Sequence, residues 1–137
     1  MTRVLALVAV LALLGAAAAH AVRTNGTSGA DILRGTRHND TLSGRGGNDD
    51  LYGRAGDDRL SGGKRDDVVK GGSGNDRLAG GRGRDVLDGG SGDDTILARN
   101  GDEDAIDCGH GLDVAVVDAS EDGVFDCEDV RRPAGAP

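Results

Sequence analysis

An aspartate recurs at every ninth residue through the middle of this 137-residue chain: Asp31, Asp40, Asp49, Asp58, Asp67, Asp76, Asp85 and Asp94. Carboxylates at a short fixed period suit one kind of chemistry, the binding of hard cations with backbone carbonyls as further ligands. No other residue set points to a reaction. The chain holds no HExxH and no GxSxG sequence, and His20, His38 and His110 form no pair at zinc-binding spacing. Gly63-Lys64-Arg65 fails as a phosphate-binding loop at its last residue. Lone serines such as Ser61, Ser73 and Ser91 read as turn residues. A formal net charge of −8 argues against nucleic acid and anionic membrane surfaces as partners and in favour of cations.

The elements that must position these carboxylates follow from the wider repeat. Cut every nine residues from Gly26, the chain reads GTSGADILR, GTRHNDTLS, GRGGNDDLY, GRAGDDRLS, GGKRDDVVK, GGSGNDRLA, GGRGRDVLD and GGSGDDTIL, with no insertion. The first position is always Gly and the sixth always Asp. The eighth is always aliphatic: Leu33, Leu42, Leu51, Leu60, Val69, Leu78, Leu87 and Ile96. The fourth is Gly except at His38 and Arg65. Glycine at turn positions permits positive φ and close backbone approach. The aliphatic residue, flanked by mostly polar seventh and ninth positions, predicts a three-residue strand with one inward side chain. One such unit buries nothing alone, whereas stacked units bury a ladder of aliphatics. The chain has one Phe, one Tyr and no Trp, so no aromatic core is available to replace that ladder.

Stacking also brings the aspartates together. At the spacing of neighbouring strands, about 4.8 Å, two carboxylates repel by roughly 3.5 kcal/mol at an effective dielectric near 20. A column of them therefore calls for cations between its members. An oxygen-only ligand set of irregular geometry favours Ca²⁺ over Mg²⁺.

On units such as GGSGNDRLA (71–79) and GGSGDDTIL (89–97), the chain resembles the RTX, or haemolysin-type, calcium-binding proteins with their G-G-x-G-x-D-x-U-x repeat. The resemblance spans residues 26–97. It implies an all-β fold, a parallel β-roll solenoid in which two nonapeptides make one coil, with Ca²⁺ held between turns of neighbouring coils by the repeat Asp and turn carbonyls. It places Asp31, Asp49, Asp67 and Asp85 on one edge and Asp40, Asp58, Asp76 and Asp94 on the other, with room for up to about six ions. Thr27, Thr36, Arg45 and Arg54 at the second position, and His38 and Arg65 at the fourth, depart from the pattern. The strongest sites are therefore expected between Asp76 and Asp94, with Asp67 and Asp85 next.

The two ends read differently. Arg3, the uncharged apolar residues 4–19 and Ala19-His20-Ala21 form the pattern of a secretory signal peptide, residues 1–21. No other segment is apolar enough to span a bilayer. Residues 22–97 are then the calcium-binding repeat roll, and 98–137 the last irregular repeats, a C-terminal cap and a tail. The repeat phase slips by one residue at Gly101-Asp102-Glu103-Asp104 and recovers in CGHGLDVAV, with Asp113 in the aspartate place. In an exported chain the pair Cys108 and Cys127 reads as a disulfide. The ending resembles that of short exported actinobacterial relatives. Val114, Val116, Val117, Val124, Phe125 and Val130 are expected to cover the open end of the roll.

The function expected from all this is that of a secreted calcium-binding protein, folded by calcium, with a structural or surface-interaction role and no catalysis. Two alternatives stand beside it: an accessory or fragment of a secreted enzyme or toxin, and a glycan- or cell-wall-binding module with structural calcium. The leader and capped end argue against a fragment, and the scarcity of aromatics argues against sugar stacking.

Overall fold

The computed structural model describes residues 20–100, 102–118 and 123–133. The signal peptide expected over residues 1–21 lies almost wholly outside the described residues. Within them the chain forms thirteen strands and no helix: β1 (Arg23–Asn25), β2 (Ile32–Arg34), β3 (Thr41–Ser43), β4 (Asp50–Ala55), β5 (Arg59–Lys64), β6 (Val68–Ser73), β7 (Arg77–Arg82), β8 (Val86–Ser91), β9 (Thr95–Ala98), β10 (Ala105–His110), β11 (Val114–Val117), β12 (Gly123–Phe125) and β13 (Asp129–Arg131). Consecutive strands never pair. The odd-numbered strands form one seven-stranded sheet and the even-numbered strands a six-stranded one, parallel throughout. Each coil thus gives one strand to each sheet, and the fold is the parallel β-solenoid expected.

Register follows the repeat. Leu42 lies beside Leu60, Leu60 beside Leu78 and Leu78 beside Ile96 in one sheet. In the other, the line runs Leu33, Leu51, Val69, Leu87 and Ile106. The expected one-residue slip is real: Ala105 pairs with Val86 and Val114 with Thr95, nineteen residues apart instead of eighteen. None of the repeat's eighth-position aliphatics is more than 3% exposed.

The strands are longer than the sequence predicts. β4 to β8 and β10 run for six residues, through the first two positions of the next unit, which are a Gly pair in β5 to β8, Gly53-Arg54 in β4 and Cys108-Gly109 in β10. A side-chain alternation of two therefore covers three inward positions in each unit: the sixth (Asp), the eighth (aliphatic) and the first of the next unit (Gly). The interior consists of stacked columns of these three residues.

The cap also differs in part from expectation. Alternation in β11 turns Ala115 and Val117 inward, which leaves Val114 and Val116 only half-buried. In β12, Val124 lies in register with Ile106 and packs partly buried against the core, as does Val130 of β13. Phe125, the next residue, points the other way and stays 64% exposed. Cys108 lies opposite Gly89 in the inward Gly column and forms a disulfide with Cys127, with the two Cα atoms 5.1 Å apart. No helix among the described residues is long and apolar enough to cross a membrane.

Candidate metal-binding turns

Each repeat Asp sits at the end of a turn, two residues ahead of the strand's inward aliphatic, and is 1–2% exposed. From Asp49 onward its Oδ1 accepts a hydrogen bond from the backbone N–H of the equivalent Asp one coil earlier, while Asp31 Oδ1, at the start of its column, has no partner among the described residues. On one edge the donors run Asp31 to Asp49 (2.8 Å), Asp49 to Asp67 (2.8 Å), Asp67 to Asp85 (2.9 Å) and Asp85 to Asp104 (2.8 Å). On the other they run Asp40 to Asp58 (2.6 Å), Asp58 to Asp76 (2.8 Å), Asp76 to Asp94 (2.7 Å) and Asp94 to Asp113 (2.7 Å). Val22 N–H donates to Asp40 at one end of this second column, and Asp113 N–H to Glu128 Oε2 at the other. All eight aspartates singled out in the sequence thus fall into two columns, four on each edge.

The second carboxylate oxygens divide the columns. Oδ2 of Asp49, Asp58, Asp67, Asp76, Asp85, Asp94 and Asp113 is buried with no hydrogen-bond partner. An unpaired buried carboxylate oxygen is costly, and here the same uncompensated oxygen recurs three times along one edge and four times along the other. A backbone oxygen of the next coil faces the cradles at Gly44, Gly53, Gly62, Gly71 and Gly89. A methyl carbon on Gly71 would collide with Asp76 Oδ2 and lie 2.6 Å from the Gly89 carbonyl oxygen of the next coil. On Gly62 it would meet Asp67 Oδ2 and lie 2.7 Å from the Gly80 carbonyl oxygen. The first-position Gly is invariant because a side chain there would fill the space where carboxylate and carbonyl converge.

Burial pushes the carboxyls above their ordinary range, reinforced by neighbouring Asp charges and opposed by the backbone N–H bond. Asp58 and Asp85 are raised to about 6, and Asp67 and Asp94 to about 7. Asp49, Asp76 and Asp113 shift in the same direction. Among the described residues, no three His, Cys, Asp or Glu side chains converge as a ready-made metal shell. Each cradle instead offers one carboxylate oxygen with backbone carbonyls. That donor set fits Ca²⁺, which accepts carbonyl and water oxygens in irregular geometry, better than Mg²⁺ or a transition metal.

The departures from the repeat resolve into two kinds. Arg45, Arg54 and Arg65 take left-handed backbone, with φ of 77°, 87° and 78°, in places where other units use Gly. They keep the regular turn. Thr27 and Thr36 change it. Asp31 Oδ2 accepts from Thr27 N–H (2.5 Å) and Thr27 Oγ1 (3.0 Å), and Asp40 Oδ2 accepts from Thr36 in the same way (2.5 and 3.0 Å).

Two features escaped the sequence reading. Asp104 takes an aspartate place in the irregular coil; its signal is Asp104-x-Ile106, the repeat's own spacing once one extra residue is allowed. The fifth position on one edge also forms an exposed ladder, in which Asp57 N–H donates to Asn39, Asn75 N–H to Asp57 and Asp93 N–H to Asn75, each at 2.9 Å.

The profile of the family described as RTX calcium-binding nonapeptide repeat (4 copies) matches residues 25–60, 52–87 and 70–102, together more than half of the chain. Comparison with curated proteins and with solved structures gives no match.

Proposed function

From the premise that this chain belongs to the RTX calcium-binding nonapeptide repeat family, we propose that it is an exported, non-catalytic β-roll whose fold depends on calcium held between its turns. The observation that carries the reading is the register of buried, unpartnered Oδ2 atoms along both edges. Asp49, Asp67 and Asp85 on one edge, and Asp58, Asp76 and Asp94 on the other, supply the carboxylate oxygens, joined by Asp113 beyond the regular repeat. Asp31 and Asp40 open the same two columns. The bound ion would supply the positive charge that seven buried carboxylates lack. The residues' task is to hold oxygens at fixed spacing and to exclude water from them.

Export is part of this reading. The Cys108–Cys127 disulfide is the chemistry of an oxidising compartment, and the apolar N-terminal run has the pattern of a signal peptide. The role is structural, a calcium-stiffened rod with polar outer faces.

The test is small-angle scattering of the chain in chelator and after adding calcium. The expected result is an expanded chain that compacts with calcium, and much less with magnesium at equal concentration. A compact, folded chain in chelator would overturn the dependence on calcium.

A further inference from the structure

We infer that Thr27, Thr36 and Asn100 close three of the four end gaps of the aspartate columns to calcium, those at Asp31, Asp40 and Asp104, and so fix where along the roll the ions bind. The inference rests on the calcium reading above and sharpens it.

At Asp31 and Asp40 the oxygen that is vacant in the regular coils already carries two protein donors, the N–H and hydroxyl of the Thr four residues earlier. The same hydroxyls accept from Gly29 N–H (3.1 Å) and His38 N–H (3.2 Å), which folds each turn back on itself. A cation reaching Asp31 Oδ2 must displace two donors, whereas one reaching Asp49 Oδ2 displaces none; the unpartnered oxygen of Asp31 is Oδ1, on the side that begins the column.

At the far end of that edge an amide does the same work. Asn100 Nδ2 donates to the Gly83 carbonyl (3.2 Å) and to Asp104 Oδ2 (3.3 Å). It links a carbonyl of one turn to the carboxylate of the next, the link a calcium ion would make elsewhere in the stack on the calcium reading.

The sequence columns support the assignment. Down one edge the second position reads Thr27, Arg45, Gly63, Gly81, and down the other Thr36, Arg54, Gly72, Gly90. A methyl carbon on Gly63 would lie 2.5 Å from the Arg45 carbonyl oxygen, and one on Gly72 would collide with that of Arg54. A second-position side chain is thus blocked above a regular left-handed turn. On a left-handed second position a side chain occurs only at Arg45 and Arg54, directly above the two Thr turns, whose second residues are not left-handed. Both edges switch from the closed to the open turn at the same coil.

The experiment counts ions by native mass spectrometry, with circular dichroism as the check on folding. Replacing Thr27, Arg45, Thr36 and Arg54 together by Gly restores the regular second position on both edges. The expected result is a gain of about two calcium ions per chain, one for each opened carboxylate. Thr27→Ser with Thr36→Ser keeps the hydroxyls and should leave the count unchanged. Should the Gly variant fail to fold, Asp31→Asn with Asp40→Asn decides the matter: the count holds if these gaps are closed, and falls if they carry ions. A folded Gly variant with no added ions, or a lower count in the Asn pair, overturns the inference. A wild-type chain that binds no calcium overturns the calcium reading itself.

Discussion

The regular coils and the end coils share one backbone plan and differ in how they satisfy the same carboxylate. From Asp49 to Asp94 each repeat Asp keeps one oxygen bare and buried. In the first coil that oxygen is held by Thr27 or Thr36, and in the irregular coil after Leu97 by Asn100. The ends also carry what the middle lacks: the inward Cys108 and Val117, a disulfide and the partly buried Val124 and Val130. A solenoid needs ends that do not ask for another repeat. On the calcium reading the middle needs an ion to close each gap, while the Oδ2 atoms of Asp31, Asp40 and Asp104 are served by protein atoms and that of Asp113 stays bare.

The largest expected contrast between the two regions comes from deleting one carboxylate in each. Asp76 bonds to both neighbours in its column and has an open Oδ2. Asp76→Ala removes a ligand oxygen and breaks the column in the middle. Metal binding coupled to folding converts lost affinity into lost stability, so the calcium midpoint for folding should rise several-fold and the transition should broaden. Asp31→Ala acts where Thr27 already serves the carboxylate, and its midpoint should stay near wild type. Calcium titrations read by far-UV circular dichroism make the comparison. Equal midpoints would show that middle and ends do not differ in this way.

Acid should act on the middle in the same sense. Asp58, Asp67, Asp85 and Asp94 hold protons up to about pH 6 to 7 in the calcium-free fold, against about 4 in an unfolded chain. Their folded pKa values are raised, so protonation stabilises the calcium-free roll. That contribution is fully present below about pH 4 and is lost as pH rises through 6 to 7. Protons and calcium compete for the same oxygens. Between about pH 8 and pH 5, the calcium midpoint should climb as pH falls, while the chain in chelator becomes more compact. A calcium midpoint independent of pH over that range would contradict the buried-carboxylate account.

Much of this division was legible in the residues. The invariant Gly, Asp and aliphatic columns pointed to short stacked strands with an inward aliphatic and to aligned aspartates, while the two-unit coil and the parallel roll were implied by the resemblance to RTX repeats. The slip near Gly101 and the Cys108–Cys127 pair were also readable. Strand length was not, since the Gly pair reads as a turn and extends only because the next coil's Gly pair lies against it. Phe125 was misjudged because its facing depends on the register of β12 with β10, a long-range fact. The turn closure by Thr27 and Thr36 was visible as a departure from the repeat, but its meaning lay in a hydrogen bond four residues away. Arg45, Arg54 and Arg65 looked like damage to the turn, yet their backbone takes the left-handed conformation that Gly supplies in other units.

The cap gives a smaller effect, of a different origin. The disulfide closes a loop between residues 19 apart in sequence, which constrains the unfolded chain by about 3 kcal/mol. Reduction at saturating calcium should lower the unfolding free energy read from denaturant titration by about 3 kcal/mol and leave the calcium count unchanged. A drop in bound ions on reduction would mean that the cap also holds calcium in place.

The smallest effect expected lies within one strand's reach of the largest. Asp85 and Asp88 are three residues apart and both acidic. Asp85 is 1% exposed with an unpartnered Oδ2, whereas Asp88 lies on the outer face in an ion pair with Lys70 at 3.2 Å, its side chain 37% exposed. If acidic composition alone attracted calcium, either substitution would matter. If the buried column does so, Asp85→Ala should raise the calcium midpoint several-fold, as at Asp76. Asp88→Ala should cost only the surface ion pair, about 0.5 kcal/mol or less and screened by salt. Lys70→Ala removes the same pair from the other side and should match Asp88→Ala in size. A calcium midpoint shifted as far by Asp88→Ala as by Asp85→Ala would move the binding sites from the interior columns to the outer faces of the roll.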